Sequence, residues 1–141
     1  MPIPMISEQI MASSKAVEDG WTLFELMAVR SQASKDGKSV NFFFEFEAVQ
    51  GPQSSEENKG RRATNTVNTA GLQTGITQAC NNYIGMLAAL SELPASELVG
   101  QEVDEQALIG KQIWADIGTT IRDGKPQKNF NAFTPKSIIP Y

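Results

Sequence analysis

Residues 40–49 read Val40-Asn41-Phe42-Phe43-Phe44-Glu45-Phe46-Glu47-Ala48-Val49, "VNFFFEFEAV". An extended strand sends alternate side chains to opposite faces. Val40, Phe42, Phe44, Phe46 and Ala48 therefore share one apolar face, which belongs in a core. Asn41, Phe43, Glu45 and Glu47 share the other, which belongs in water. Phe43 departs from that division. A phenyl ring among polar neighbours is either covered by another part of the protein or offered to a ligand.

On either side of this strand the chain reads as a β domain. Residues 21–30 form a strand that is apolar on both faces, with Phe24, Leu26 and Ala28 on one side and Trp21, Leu23, Met27 and Val29 on the other. Asp36-Gly37 between the two strands is a hairpin turn signal. After residue 49, the segment 51–60 lacks any apolar anchor and reads as a long flexible loop. Residues 61–67 alternate as a third strand. From Gly71 to Leu93, Leu72, Ile76, Ala79, Tyr83, Leu87 and Leu90 recur at helical spacing, with Thr69 as the N-cap and Pro94 blocking continuation. Two short turns closing on Gly100 and Gly110 lead to a fourth strand, 111–122. A turn at Asp123-Gly124 and a fifth strand, 127–133, complete the pattern.

The order β-β-β-α-β-β predicts a mainly β domain with one helix, a five-stranded OB-like Greek-key barrel. A curved open sheet with the helix plugging one end gives the same string. The expected organisation is an N-terminal arm over 1–15, the barrel over 16–133 and an extended tail over 134–141.

Composition narrows the chemistry. The chain of 141 residues contains no histidine and one cysteine, Cys80. Imidazole catalysis and most zinc sites are thereby excluded, and a lone cysteine in a helix reads as a small buried apolar group. There is no P-loop, no dinucleotide fingerprint and no nucleophile elbow. The sequence therefore predicts no enzyme, no cofactor and no metal. It has no run of about 18 apolar residues that could span a bilayer and no secretion signal, so a membrane is not an expected partner.

The net charge of −4 conceals a strong local polarisation. Residues 63–91 hold no charge, 92–110 hold five acids and no base, and eight of the twelve basic residues fall at three places. Lys35 and Lys38 lie on the first hairpin turn. Lys59, Arg61 and Arg62 lead into the third strand. Arg122, Lys125 and Lys128 lie on the last hairpin. An OB-fold binds oligonucleotides around strands two and three, between those loops. Single-strand binders combine a cationic groove with aromatic stacking platforms, and Phe43, Trp114 and Phe130 are the candidates here. Phe43, Trp114 and the Arg61-Arg62 pair have plain structural alternatives: Phe43 under the N-terminal arm or in an interface, Trp114 under a loop, and Arg61-Arg62 as a solvated strand start. The acidic stretch 92–105 is a solvated surface, a region that repels nucleic acid toward the basic side, or a mimic of DNA that blocks a host protein.

Several short pieces carry a family resemblance: Gly51, Lys59-Gly60-Arg61, the apolar helix ending "IGMLAAL", Leu108-Ile109-Gly110-Lys111, and Gly124-Lys125 followed by Asn129. Over residues 16–135 the chain resembles a family of small phage proteins encoded among recombination and replication genes. The resemblance implies a phage single-stranded DNA-binding or recombination-accessory protein with an OB-like barrel. Its expected partners are single-stranded DNA, replication or recombination proteins and further copies of itself, and its expected location is the cytoplasm of an infected bacterium. Bacterial single-stranded DNA-binding proteins end in an acidic stretch with an apolar tip. Here Ile139-Pro140-Tyr141 has the tip's character, but Lys136 precedes it and the acids are missing. A virion or assembly subunit built on the same barrel, with its arms reaching neighbouring copies, is the alternative.

Overall fold

The computed structural model describes residues 2–13, 15–51 and 58–141. Most of the segment 51–60 read as a flexible loop, namely 52–57, lies outside the described residues. Five strands form one antiparallel sheet: β1 (Gly20–Ala33), β2 (Val40–Gln50), β3 (Arg62–Asn68), β4 (Gln112–Arg122) and β5 (Lys125–Pro135). Their order across the sheet is β3-β2-β1-β4-β5. The chain is mainly β, as its alternation predicts. It has several helices rather than one: α1 (Glu8–Ser13), α2 (Thr69–Gln73), α3 (Thr77–Ser91), α4 (Ala95–Leu98) and α5 (Glu105–Leu108).

The opening stretch behaves as its alternation requires. Phe44, Phe46 and Ala48 are buried in the core and Phe42 packs against it, while Phe43, Glu45 and Glu47 stand on the other face. β1 does not keep a single parity. Its register with β2 jumps from Leu26↔Phe46 to Ala28↔Glu45, which leaves Met27 as an extra residue. Since side chains alternate with period two, one extra residue exchanges the faces. Phe24 and Leu26 point inward before the bulge and Val29 packs on the core after it. Arg30 is thereby turned outward, opposite Phe43.

Another bulge shapes β5. The pairing passes from Ile117↔Phe130 to Asp116↔Ala132, so Asn131 has no partner on β4. Phe130 and Phe133, three apart, consequently both face inward and their rings stack 5.8 Å apart. Phe130 also meets Phe24 at 5.6 Å and Phe46 at 5.5 Å. It is a centre of the core and not an exposed platform.

The long helix expected over 71–93 is broken. Asn68, not Thr69, caps α2 by accepting from the Ala70 amide. Gly75 then turns the chain with φ 75° before α3 begins. Met86, Leu87, Ala89 and Leu90 bury the C-terminal half of α3, whereas Ile76 of the expected stripe is exposed, as is Ile84. Glu92, in the left-handed region at φ 56°, and Pro94 end the helix.

Beyond the strands, Val17 is fully buried in the core. β5 runs to Pro135, so the tail starts at Lys136, and it returns over the outer face of the sheet. The Trp114 indole donates to the Lys136 carbonyl at 3.2 Å and meets the Tyr141 ring edge-on at 5.5 Å.

Candidate functional site

β3 and β5 are the two edges of the sheet, and no strand ladder joins them among the described residues. A cleft of about 810 Å³ separates them, walled by β3 (Thr64–Asn68), the start of α3 and the β4–β5 hairpin. Asn82 of α3 spans its floor. Its carbonyl oxygen accepts from the Asn65 amide of β3 at 2.9 Å, and its own amide donates to the Phe130 carbonyl of β5 at 2.8 Å. One side chain thus does for both edges part of what a ladder would do, satisfying polar groups that would otherwise be partly desolvated without partners.

The walls are rich in amides, and these divide into two groups. Asn65 and Asn82 form the clip. Asn68 donates to Ser39 and Asn41 and caps α2, and Asn129 donates to the Thr120 hydroxyl at 2.8 Å. These four are consumed in holding the walls. Gln78, Gln127 and Asn131 also line the cleft, and no side-chain hydrogen bond engages them among the described residues. The Asn131 amide lies against Gly118, in the space a Cβ there would fill. Bulge and glycine together seat that amide.

The electrostatics of the cleft differ from those of the whole chain. Among the described residues, no aspartate or glutamate lines it, while Arg122 and Lys128 do. Lys128 is partly neutralised by Asp19, 2.9 Å away, which also accepts from the Thr119 hydroxyl. Those two hydrogen bonds, Thr119 first, hold the Asp19 carboxyl below its ordinary value of 3.8. Arg122 makes no ion pair among the described residues. The first turn of α3 opens on the same space, and its N-cap, Ile76, supplies no side-chain cap, so the turn's amides leave positive partial charge there.

The sequence-predicted residues divide sharply. Arg122 lines the cleft and Lys125 is exposed at the tip of the same hairpin. Lys35 and Lys38 are exposed on the β1–β2 turn, which Asn68 ties to the cleft's end through Ser39 and Asn41. Phe43 is half-buried on the outer face, beside Thr66 of the cleft wall. The Arg30 guanidinium lies 5.6 Å from the centre of its ring, and Arg30 is held by Glu45 at 2.7 Å. Arg62 and Lys59 are exposed.

Three expectations are corrected. Trp114, only 4 % exposed, does lie on the outer sheet face, but the C-terminal tail covers it. Phe130, 6 % exposed, faces the core because it pairs with the inward-facing Ile117. Arg61 donates to the Ala16 carbonyl at 3.2 Å and the Asn58 side chain at 3.3 Å, tying down the N-terminal segment instead of facing solvent.

Composition-based reading passed over Gln78, Asn82, Gln127 and Asn131. The available signal was the uncharged, amide- and hydroxyl-rich stretch 63–91, which supplies one whole wall of the cleft. Among the described residues, no group of three or more acids or cysteines could hold a metal ion, and no helix is long and apolar enough to cross a membrane. Neither a protein-family model nor a curated protein sequence matches this chain.

Proposed function

We propose that the domain binds single-stranded DNA along the cleft between β3 and β5. Arg122 and Lys125, with Lys128 in support, hold phosphates. The strand leaves the cleft over Thr66 to reach Phe43, its one remaining aromatic platform, with Lys35 and Lys38 beyond the Asn68 end. The observation that carries this proposal is that, among the described residues, no carboxylate lines the cleft in a chain of net charge −4. Negative ligands are admitted there and resisted elsewhere. The strand order is that of an OB barrel opened between its third and fifth strands. We take the cleft as the seam of such a barrel, kept ajar by Asn82. A phage replication or recombination setting follows from the resemblance in residues 16–135.

Fluorescence anisotropy with a labelled single-stranded oligonucleotide tests this. Binding in the micromolar range should fall by about tenfold or more between 50 and 200 mM salt, as bound counterions are released. Absence of binding at low salt would discard the proposal. The assembly-subunit alternative draws on a different observation, the uncovered Ile3, Met5 and Ile6 ahead of α1. Sedimentation velocity separates the two: self-assembly without DNA affinity favours the subunit.

A further inference from the structure

We propose that the cleft reads base edges and does not merely hold a backbone, with Gln78, Gln127 and Asn131 as the residues that set base preference. This rests on single-strand binding at the cleft and departs from the sequence-independent binding that cationic loops and stacking rings alone would give.

The inference starts from the two groups of amides. Within one cleft, Asn65, Asn68, Asn82 and Asn129 are spent on the walls. Gln78, on the α3 wall, and Gln127 and Asn131, on the β5 wall, are not, so the unengaged amides stand on both sides of the gap. A primary amide places a donor and an acceptor side by side, the pairing that complements the donor–acceptor edges of bases, adenine above all. Phosphates present acceptors only and gain nothing from the amide oxygen. A site built for backbone alone favours lysine and arginine, and among the described lining residues Arg122 and Lys128 are the cations.

Two further features agree. Ile76 and Ile121, 56 % and 70 % exposed, line the same cleft from α3 and from β4. Exposed aliphatic side chains there offer flat bases an apolar surface in place of the rings that burial withdrew. Asn131 is the bulged residue of β5 and its amide is seated over Gly118. Bulges of this kind re-aim a side chain beside a site.

The test measures anisotropy at one salt concentration with the full chain. Its probes are oligo-dA, oligo-dC and oligo-dT of equal length, and an abasic strand with the same backbone. The abasic strand should bind about tenfold more weakly than the best homopolymer, and the homopolymers should differ among themselves by a similar factor. Gln78→Met with Gln127→Met should shrink that spread to about threefold or less while leaving the abasic strand's affinity unchanged. Gly118→Ala, which displaces the Asn131 amide without deleting it, should act in the same direction. Arg122→Ala should weaken all four probes alike. The substituted glutamines are exposed, and thermal melts confirm that the variants fold.

Equal affinity for all probes, abasic included, would overturn base reading and leave single-strand binding standing. A spread that survives the double methionine variant and Gly118→Ala would also overturn it, because discrimination would then lie elsewhere, as at Phe43. No binding to any probe would remove both proposals.

Discussion

Two regions of this domain use asparagine in opposite ways. Where the N-terminal segment meets the start of β3, Asn58 is fully buried. Its side-chain oxygen accepts from the Glu18 amide at 2.9 Å and from Arg61 at 3.3 Å, and its amide donates to the buried Thr22 hydroxyl at 3.3 Å. Every polar atom is answered from within and Val17 is held in the core. At the cleft, Asn82 joins the two sheet edges, but Gln78, Gln127 and Asn131 on its two walls are left to solvent. The same functional group seals one region and equips the other. What separates them is whether the surrounding backbone brings partners within reach. A buried amide must be satisfied by the protein, whereas an exposed one is free to be satisfied by a ligand.

The largest effect should come from breaking the sealed region. Asn58→Ala leaves the Glu18 amide and one Arg61 donor without their acceptor in a dry place. It should cost about 3 kcal/mol in chemical denaturation. Asn82→Ala should cost less, about 1–2 kcal/mol, because Asn82 is only partly buried and Asn65 keeps its contact with the Met86 sulfur. Asn82→Asp sharpens the contrast. It keeps an acceptor for Asn65 but sets a carboxylate oxygen where the amide met the Phe130 carbonyl and places a carboxylate in the cleft, so stability should fall at least as far as in Asn82→Ala and DNA affinity should fall further than in Asn82→Ala. If Asn58→Ala proves no more damaging than Asn82→Ala, the distinction between a sealed and an open region is wrong.

The cleft's charge is next in size. Arg122→Ala should weaken oligonucleotide binding by about five- to tenfold and lower the slope of log K against log salt by about one, as expected for one phosphate contact. Arg61→Ala should instead lower the melting temperature, since its guanidinium serves the fold. Trp114 supplies an optical control. In a Trp21→Phe background its emission should resist acrylamide and should not change on DNA binding, because the tail covers it.

The strands and their inward faces were legible because a period of two survives in the sequence wherever a strand has one wet side. Phe44, Phe46, Ile113 and Ile117 are buried as their alternation demands. Bulges were not legible. No residue type at Met27 or Asn131 announces an extra residue, and each bulge exchanges the faces beyond it. Phe130 lies inward because it pairs with the inward-facing Ile117, and the bulge at Asn131 brings Phe133, three residues on, to the same face. Helix α3 was found but overextended, because Leu72 and Ile76 keep helical spacing across Gly75, whose left-handed turn separates two helices. The cationic turns were visible as charge. The cleft was not, because its walls come from segments far apart in sequence and its distinguishing property is a lack of charge, which local patterns do not register.

The smallest predicted effect concerns Asp19, and its sign is the informative part. Asp19 pairs with Lys128, a cleft residue, and with Thr119. Its carboxyl is held below the ordinary 3.8, by the Thr119 hydroxyl first and Lys128 second, so it is ionised at neutral pH and offsets the lysine's charge. Asp19→Asn should therefore tighten single-strand binding a few-fold at neutral pH by freeing Lys128 for phosphate, the reverse of what loss of an ordinary surface contact would do. Stability moves the other way. A carboxyl whose folded value is depressed contributes stability above its unfolded value and loses it as pH falls through the lower folded one. The wild-type chain should lose that contribution below about pH 4, and Asp19→Asn should lack this step in its acid profile. Unchanged or weaker DNA binding by Asp19→Asn would mean that Lys128 serves the hairpin alone, leaving Arg122 as the cleft's working cation.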